Sequence, residues 1–238
     1  MYQFVEIESG SIKIFKLPVP GMTYTMGLDA ATGLGVDYSC GQIVSNALPC
    51  EQVAVFRQQC QTHVFSEMMN MLGKYYYDAL NVCEINYPGN SVQETLLQYY
   101  RYPRNYQAES HLDENVDITS RYGYRTTEAS KWLLIHETQI ALATQGLIIN
   151  DVVTINEFMN FVYQYSKHKA GAAAGFCDDT VIALMLAYHG AKLYPCVMPV
   201  DEEKNKVTKL DADSKRNWRL FREKITGTRS REKEGVQL

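Results

Sequence analysis

Three strand-like segments follow one another early in the chain and are separated only by turn-like sequence. They are rich in apolar, aromatic and β-branched residues, which favour strands. The segments are residues 22–29, 38–47 and 51–57. Leu48-Pro49 marks the turn between the last two. The sequence therefore predicts a three-stranded antiparallel meander, preceded by a further strand at residues 11–16.

The pattern then changes to helices with one more strand among them. Residues 58–77 carry apolar side chains at helical spacing, and residues 79–84 form a short apolar run that is typical of a buried strand. Further helices are predicted at residues 91–100, 127–145 and 178–188. Residues 167–175 are small and basic, and they predict a mobile loop.

This order of elements, a meander, a helix, a strand and later helices, is that of an RNase H-like fold. It predicts an α/β protein whose mixed central β-sheet is flanked by helices on both faces. A chain of 238 residues, 46% of them hydrophobic, has ample material for such a core. We expect the domain to occupy residues 1–200.

Composition restricts the location of the protein. No apolar stretch approaches the ~20 residues of a membrane span, and the N-terminus lacks the basic region and apolar run of a signal peptide. Residues 201–238 carry 11 Lys and Arg against 8 Asp and Glu, whereas residues 1–200 have a net charge of −7. We expect a cytosolic protein with a polar, basic and partly disordered tail at 201–238.

The cysteines include no CxxC pair, so free thiols are expected and a zinc site is not.

Acidic residues stand at the ends of two predicted strands and at the start of a late helix. Asp29 ends the strand 22–29 and precedes a glycine-rich loop, Glu84 ends the strand 79–84, and Asp178 and Asp179 begin the last helix. Hard cations are bound by carboxylates brought together from distant parts of a chain. The pattern therefore predicts a phosphodiesterase that uses Mg²⁺ or Mn²⁺, with two ions about 3.5–4 Å apart.

Each acid also has an ordinary structural interpretation. Asp29 fits a plain β-turn, and Glu84 fits a salt bridge that compensates its burial. Asp37, which follows the glycine-rich loop, fits either a supporting ligand or a cap on the next strand.

The Asp178-Asp179 pair offers more carboxylates than capping requires. One of the two fits an ordinary N-cap. Asp179 shares a predicted helical face with Ile182 and Leu186, which should point at the sheet. We therefore expect Asp179 to be the metal ligand and Asp178 to be either the cap or a second ligand.

The acid-bearing segments also resemble those of a known family. The stretches that carry the resemblance are residues 10–14, 24–37 with Ser39, 84–89 and 175–179, together with 123–127 and the helix of Lys131. In this order, and over about residues 10–190, they resemble the C-terminal nuclease domain of the large terminase subunit of tailed bacteriophages.

The resemblance implies a resolvase-type endonuclease that cuts concatemeric double-stranded viral DNA during genome packaging. Asp29, Glu84 and the Asp178/Asp179 pair would be its acidic triad. The implied partners are DNA, the ATPase motor of the full-length terminase, the small terminase and the portal protein, in the host cytoplasm. The chain has no GxxxxGK[ST] segment, so we expect a domain separated from that motor.

Two other functions compete with cleavage. A non-cutting RNase H-like module would dock DNA or the portal and procapsid. A sugar or acetate kinase-like ATPase would need a second, duplicated domain, for which the chain is too short. The Tyr- and Arg-rich segment 99–106 fits a DNA-contacting patch and equally the rim of the core.

Overall fold

A computed structural model describes residues 10–35, 37–107, 122–164 and 169–196 of the chain. The basic tail predicted at 201–238 lies outside the described residues, as do both ends of the predicted domain. The limits 1–200 therefore stay a prediction.

The elements follow the predicted order. The strands are β1 (Ile12–Ile14), β2 (Tyr24–Asp29), β3 (Ser39–Ser45), β4 (Cys50–Gln58), β5 (Leu80–Cys83), β6 (Leu147–Ile148), β7 (Phe161–Gln164) and β8 (Lys169–Ala172). The helices are α1 (Thr62–Tyr75), α2 (Gly89–Glu94), which continues into a π-helical turn at Thr95–Tyr99, α3 (Glu128–Ala143), α4 (Val152–Met159) and α5 (Asp179–Leu193).

The central sheet is mixed, as the sequence predicts. Its strands lie in the order β1-β4-β3-β2-β5, and β6 pairs with β4. Strands β2, β3 and β4 form the predicted antiparallel meander, whereas β5 runs parallel to β2. This is the arrangement expected of an RNase H-like fold.

A separate hairpin of β7 and β8 contradicts part of the predicted mobile loop. Residues Lys169–Ala172 pair with Phe161–Gln164 in antiparallel register. Small residues suit this strand because Gly171 lies against the carboxylate of Asp178, where a Cβ would be 3.3 Å from Oδ2. Residues 165–168 lie outside the described residues.

Helices cover both faces of the sheet, and strand alternation decides which side chains each helix meets. On one face, Met26 and Leu28 of β2 join a cluster with Phe65 and Met69 of α1. On the other face, a Cβ at Gly27 would collide with backbone atoms of α5. Helix α5 therefore lies directly on the backbone of β2.

The same alternation places the strand-end acids on the α5 face. A Cβ at Gly190 of α5 would touch Val82 of β5, which shows that Val82 faces this helix. Successive side chains of a strand point to opposite faces. Asp29, two residues after Gly27, and Glu84, two residues after Val82, therefore both point to the side of the sheet that α5 covers.

The described residues also bear on two other predictions. All six cysteines are free thiols, as the sequence predicts. Within the described ranges, no helix is both long enough and apolar enough to cross a membrane.

Candidate active site

The two strand-end acids lie side by side at the carboxyl edge of the sheet. Asp29 is the last residue of β2, and Glu84 directly follows β5, with its N–H donating to the carbonyl of Leu28 at 2.9 Å. The Glu84 carboxyl group lies close enough to Asp29 for its charge and hydrogen bonding to raise the pKa of Asp29. Asn86 holds Glu84 from the other side: its Nδ2 donates to Glu84 Oε1 at 3.4 Å and to the carbonyl of Thr126 at 2.7 Å.

The start of α5 supplies two more carboxylates, which point in different directions. Asp179, the first residue of the helix, accepts a hydrogen bond from the Tyr38 N–H at 3.3 Å. Asp178 occupies the N-cap position, but its side chain makes no capping hydrogen bond. Its Oδ2 instead accepts from the Ala172 N–H at 3.3 Å and lies 3.9 Å from Lys131 Nζ. The capping role considered for the Asp178 side chain is therefore wrong.

These carboxylates act on one another electrostatically. Burial raises the pKa of Asp29 well above its usual value, and the charges of Glu84, Asp179 and Asp178 raise it further. The charges of Asp29, Glu84, Asp178 and Asp179 therefore interact in the folded chain.

The same surroundings raise the pKa of Asp179 to about 6. Burial is the main cause, and the Tyr38 N–H opposes it. Repulsion from Glu157, Asp178 and Asp37 adds to the burial effect. Asp37 is exposed, and it is close enough for its charge to reach Asp179.

The carboxylate oxygens of these acids suit a hard divalent cation, although the side chains are not yet arranged around a common point. Among the described residues, no three His, Cys, Asp or Glu side chains form a group that could already hold a metal ion. The acids at the site offer oxygen donors only, which are the ligands of Mg²⁺ and Mn²⁺. Carboxylates that raise one another's pKa are stabilised in their charged form when a cation binds among them.

Behind these acids lies an ion pair that the sequence analysis does not identify. Glu157 of α4 is buried, and its Oε2 accepts a hydrogen bond from the Thr180 N–H at 2.9 Å and another from Thr180 Oγ1. Its Oε1 lies 3.2 Å from Nη2 of Arg57. The Arg57 guanidinium stacks 3.5 Å over the ring of Tyr38, the residue whose N–H binds Asp179.

One signal in the sequence points to Glu157. It is the single charged residue in Val152–Met159, an otherwise largely apolar helix, and a charge in such a place requires a buried partner. Arg57 carries no comparable signal. Arg57 lies near the site because of the strand register. Asp29 of β2 pairs with Cys40 of β3, and Cys40 pairs with Arg57 of β4.

The Tyr- and Arg-rich segment 99–106 lies at the other end of β5. The side chains of Tyr102 and Tyr106 are buried, and the Tyr102 hydroxyl donates to the carbonyl of Ala79 at 2.7 Å. The Arg104 carbonyl accepts from the N–H of Asn81 near the beginning of β5. For Tyr102 and Tyr106 the DNA-contact interpretation is therefore wrong, because both belong to the core.

A mixed sheet of this topology with helices on both faces has the RNase H-like fold, and several solved structures that share it belong to one class of protein. The structure is similar to the large terminase nuclease of the thermophilic phage G20c with bound magnesium, with a TM-score of 0.63 and 17% identity over 77% of this chain and 89% of that one. It is also similar to the cobalt-bound form, with a TM-score of 0.62 and 18% identity over the same shares.

The large terminase nuclease domain of Thermus phage P74-26 is a third likeness. Its TM-score is 0.59 at 17% identity, over 76% of this chain and 86% of that one. No protein-family model and no curated protein sequence matches the chain. The chain therefore has the fold of the large terminase nuclease domains, as the resemblance of its motifs implies.

Proposed function

We propose that this protein is a metal-dependent endonuclease that cuts concatemeric double-stranded viral DNA during genome packaging. The proposal rests on one observation: four acids lie close enough at the carboxyl edge of β2 and β5 for their charges to interact. These acids are Asp29, Glu84, Asp178 and Asp179. The likeness to large terminase nucleases supports it, since structures of the G20c nuclease hold magnesium, cobalt or zinc.

The same four acids would hold the metal, with Asp37 as an outer support. We propose Mg²⁺ or Mn²⁺, and two ions. When bound, such ions activate a water molecule and stabilise the leaving oxygen of an in-line displacement at phosphorus.

The surrounding groups of the chain hold those carboxylates in place. The Tyr38 N–H orients Asp179, and the Asn86 amide orients Glu84. Lys131, close to Asp178, offsets part of the negative charge that DNA must approach.

The partners follow from the same proposal. The substrate would be double-stranded DNA, delivered by the ATPase motor of a terminase, with the small terminase and the portal protein as further partners. The place of action would be the host cytoplasm, at the procapsid portal.

A plasmid-nicking assay tests the proposal. Wild type, Asp29→Asn and Glu67→Gln are compared in EDTA, Mg²⁺ and Mn²⁺. Glu67 is the matched control because it is an exposed acid on α1, on the opposite face of the sheet. We expect metal-dependent cutting by wild type and Glu67→Gln. In Asp29→Asn we expect a loss of at least about 100-fold, more than is usually caused by losing a group that only orients a metal ligand.

Thermal unfolding supplies a second readout that does not need catalysis. Millimolar Mn²⁺ should raise the Tm of wild type and of Glu67→Gln, because the ions bind only the folded cluster. The shift should be smaller in Asp29→Asn. DNA binding without cutting in any metal would favour the alternative, a non-cutting module that docks DNA or the portal.

A further inference from the structure

Helix α5 is capped by a residue from another helix. The first N–H groups of a helix have no partner within it, and an Asp at the N-cap usually accepts from the second or third of them. In α5 the second N–H belongs to Thr180, and it donates to Glu157 of α4 at 2.9 Å. The side chain of Asp178, at the N-cap position, takes no part in capping.

Two other helices are capped by their own N-cap residues, whereas α1 begins after Gln61 without a side-chain cap. Thr127 accepts from the Ser130 N–H at the start of α3, and Asp151 accepts from the Thr154 N–H at 2.9 Å at the start of α4. Helix α5 differs from α1, α3 and α4 because its cap comes from a residue of another helix.

Glu157 is fixed on both of its oxygens. Its side chain is 9% exposed, and while Oε2 accepts from Thr180, Oε1 pairs with Arg57. Through its stacking on Tyr38, Arg57 also buttresses the N–H that binds Asp179. The start of α5 is thus held from two sides by one connected set of contacts.

We propose that Glu157 is a positioning residue, which caps α5 so that Asp178 and Asp179 both remain available as metal ligands. An Asp178 side chain engaged in capping would fold back over the helix end. Relieved of that role, Asp178 reaches towards Ala172 and Lys131 while Asp179 reaches towards Tyr38. Two consecutive residues can then present carboxylates in two directions. The inference deepens the proposed function and rests on it.

The test measures Mn²⁺ binding by calorimetry and single-turnover DNA cleavage in Glu157→Ala. We expect the Mn²⁺ Kd to rise roughly 10–100-fold and the cleavage rate to fall by a similar factor, the usual effect of losing a group that orients a ligand. The DNA concentration that gives half of the maximal single-turnover rate should stay unchanged. Glu157→Gln keeps an oxygen for Thr180 and should recover most of the Mn²⁺ affinity.

Glu137→Ala is the matched control. Glu137 is also a largely buried carboxylate that holds α5, but at the far end, where it lies 2.8 Å from His189 and 2.9 Å from Lys192. Its loss should lower the Tm without changing the Mn²⁺ Kd. Hydrogen exchange should accelerate at the Thr180 amide in Glu157→Ala and not in Glu137→Ala.

The outcomes separate this inference from the proposed function. Equal Mn²⁺ affinity in Glu157→Ala and Glu137→Ala would overturn the positioning role. A wild type that binds Mn²⁺ but cuts no DNA would refute the nuclease and leave the comparison of affinities to decide the role of Glu157. A wild type that binds no Mn²⁺ would refute both. If Glu157→Ala does not fold, Glu157→Asp decides, because its shortened side chain should still weaken Mn²⁺ binding.

Discussion

Replacing Asp179 by asparagine should stabilise the metal-free protein. Burial and neighbouring charges raise the pKa of this carboxyl from 3.8 to about 6. Since one pKa unit corresponds to ~1.4 kcal/mol, the ionised side chain costs the folded state up to about 3 kcal/mol. Asparagine removes the charge and keeps an oxygen that can accept the Tyr38 N–H. We expect the free energy of unfolding in EDTA at pH 7.5 to rise by about 1–3 kcal/mol.

The size of this gain should depend on pH in one direction. Because the folded pKa of Asp179 lies above the unfolded one, protonation stabilises the folded wild type. That stabilisation is complete below about pH 3.8 and is lost as the pH rises through about 6. Asparagine does not titrate, so the variant's advantage should be largest above pH 6 and about half as large at pH 5.

Urea denaturation followed by circular dichroism measures both effects. Wild type, Asp179→Asn and Glu67→Gln are compared in EDTA at pH 5 and pH 7.5. The exposed control Glu67→Gln should stay within about 0.5 kcal/mol of wild type at both values. An Asp179→Asn protein that is less stable than wild type at pH 7.5, or a gain of equal size at the two pH values, would refute the electrostatic reasoning.

Two further substitutions test how α5 is seated. Gly27→Ala should lower the free energy of unfolding by at least about 1–3 kcal/mol, because the added methyl group meets the backbone of α5. Thermal unfolding measures the loss. Gly35→Ala is the control because a Cβ there meets open space. A Gly27→Ala protein as stable as wild type would contradict the close packing of α5 on β2. Asp178→Ala should change stability by no more than about 0.5 kcal/mol, whereas Asp151→Ala removes a true cap and should cost about 1–2 kcal/mol. Equal losses of the two variants in denaturant unfolding would contradict this expectation.

The strand-end acids could be placed from the sequence because each ends an element of readable type. Asp29 and Glu84 close apolar runs of strand length, and the alternation of a strand then fixes the face on which each carboxylate lies. The start of the late helix could be predicted in the same way, and Asp179 is its first residue. Local patterns and their order were enough for the fold and for the candidate ligands.

The supporting ion pair could not be placed in this way. Arg57 and Glu157 are 100 positions apart, and they meet through strand register and the packing of α4 on α5. No local pattern encodes either relation. The hairpin strand β8 was missed for a different reason. Its run of Lys, Ala and Gly has low strand propensity, and tertiary contacts with β7 override it.

The acids of the candidate site come from β2, from the end of β5 and from α5, the last described helix. A chain still being synthesised holds Asp29 and Glu84 long before it holds Asp178 and Asp179. Until α5 packs on the sheet, the face of β2 at Gly27 also stays exposed to solvent. In the proposed nuclease, an incomplete or half-folded copy would therefore lack two of its four ligands. Completion of the core and the ability to cut DNA would be reached in the same step, so unfinished chains would leave the host cell's DNA intact.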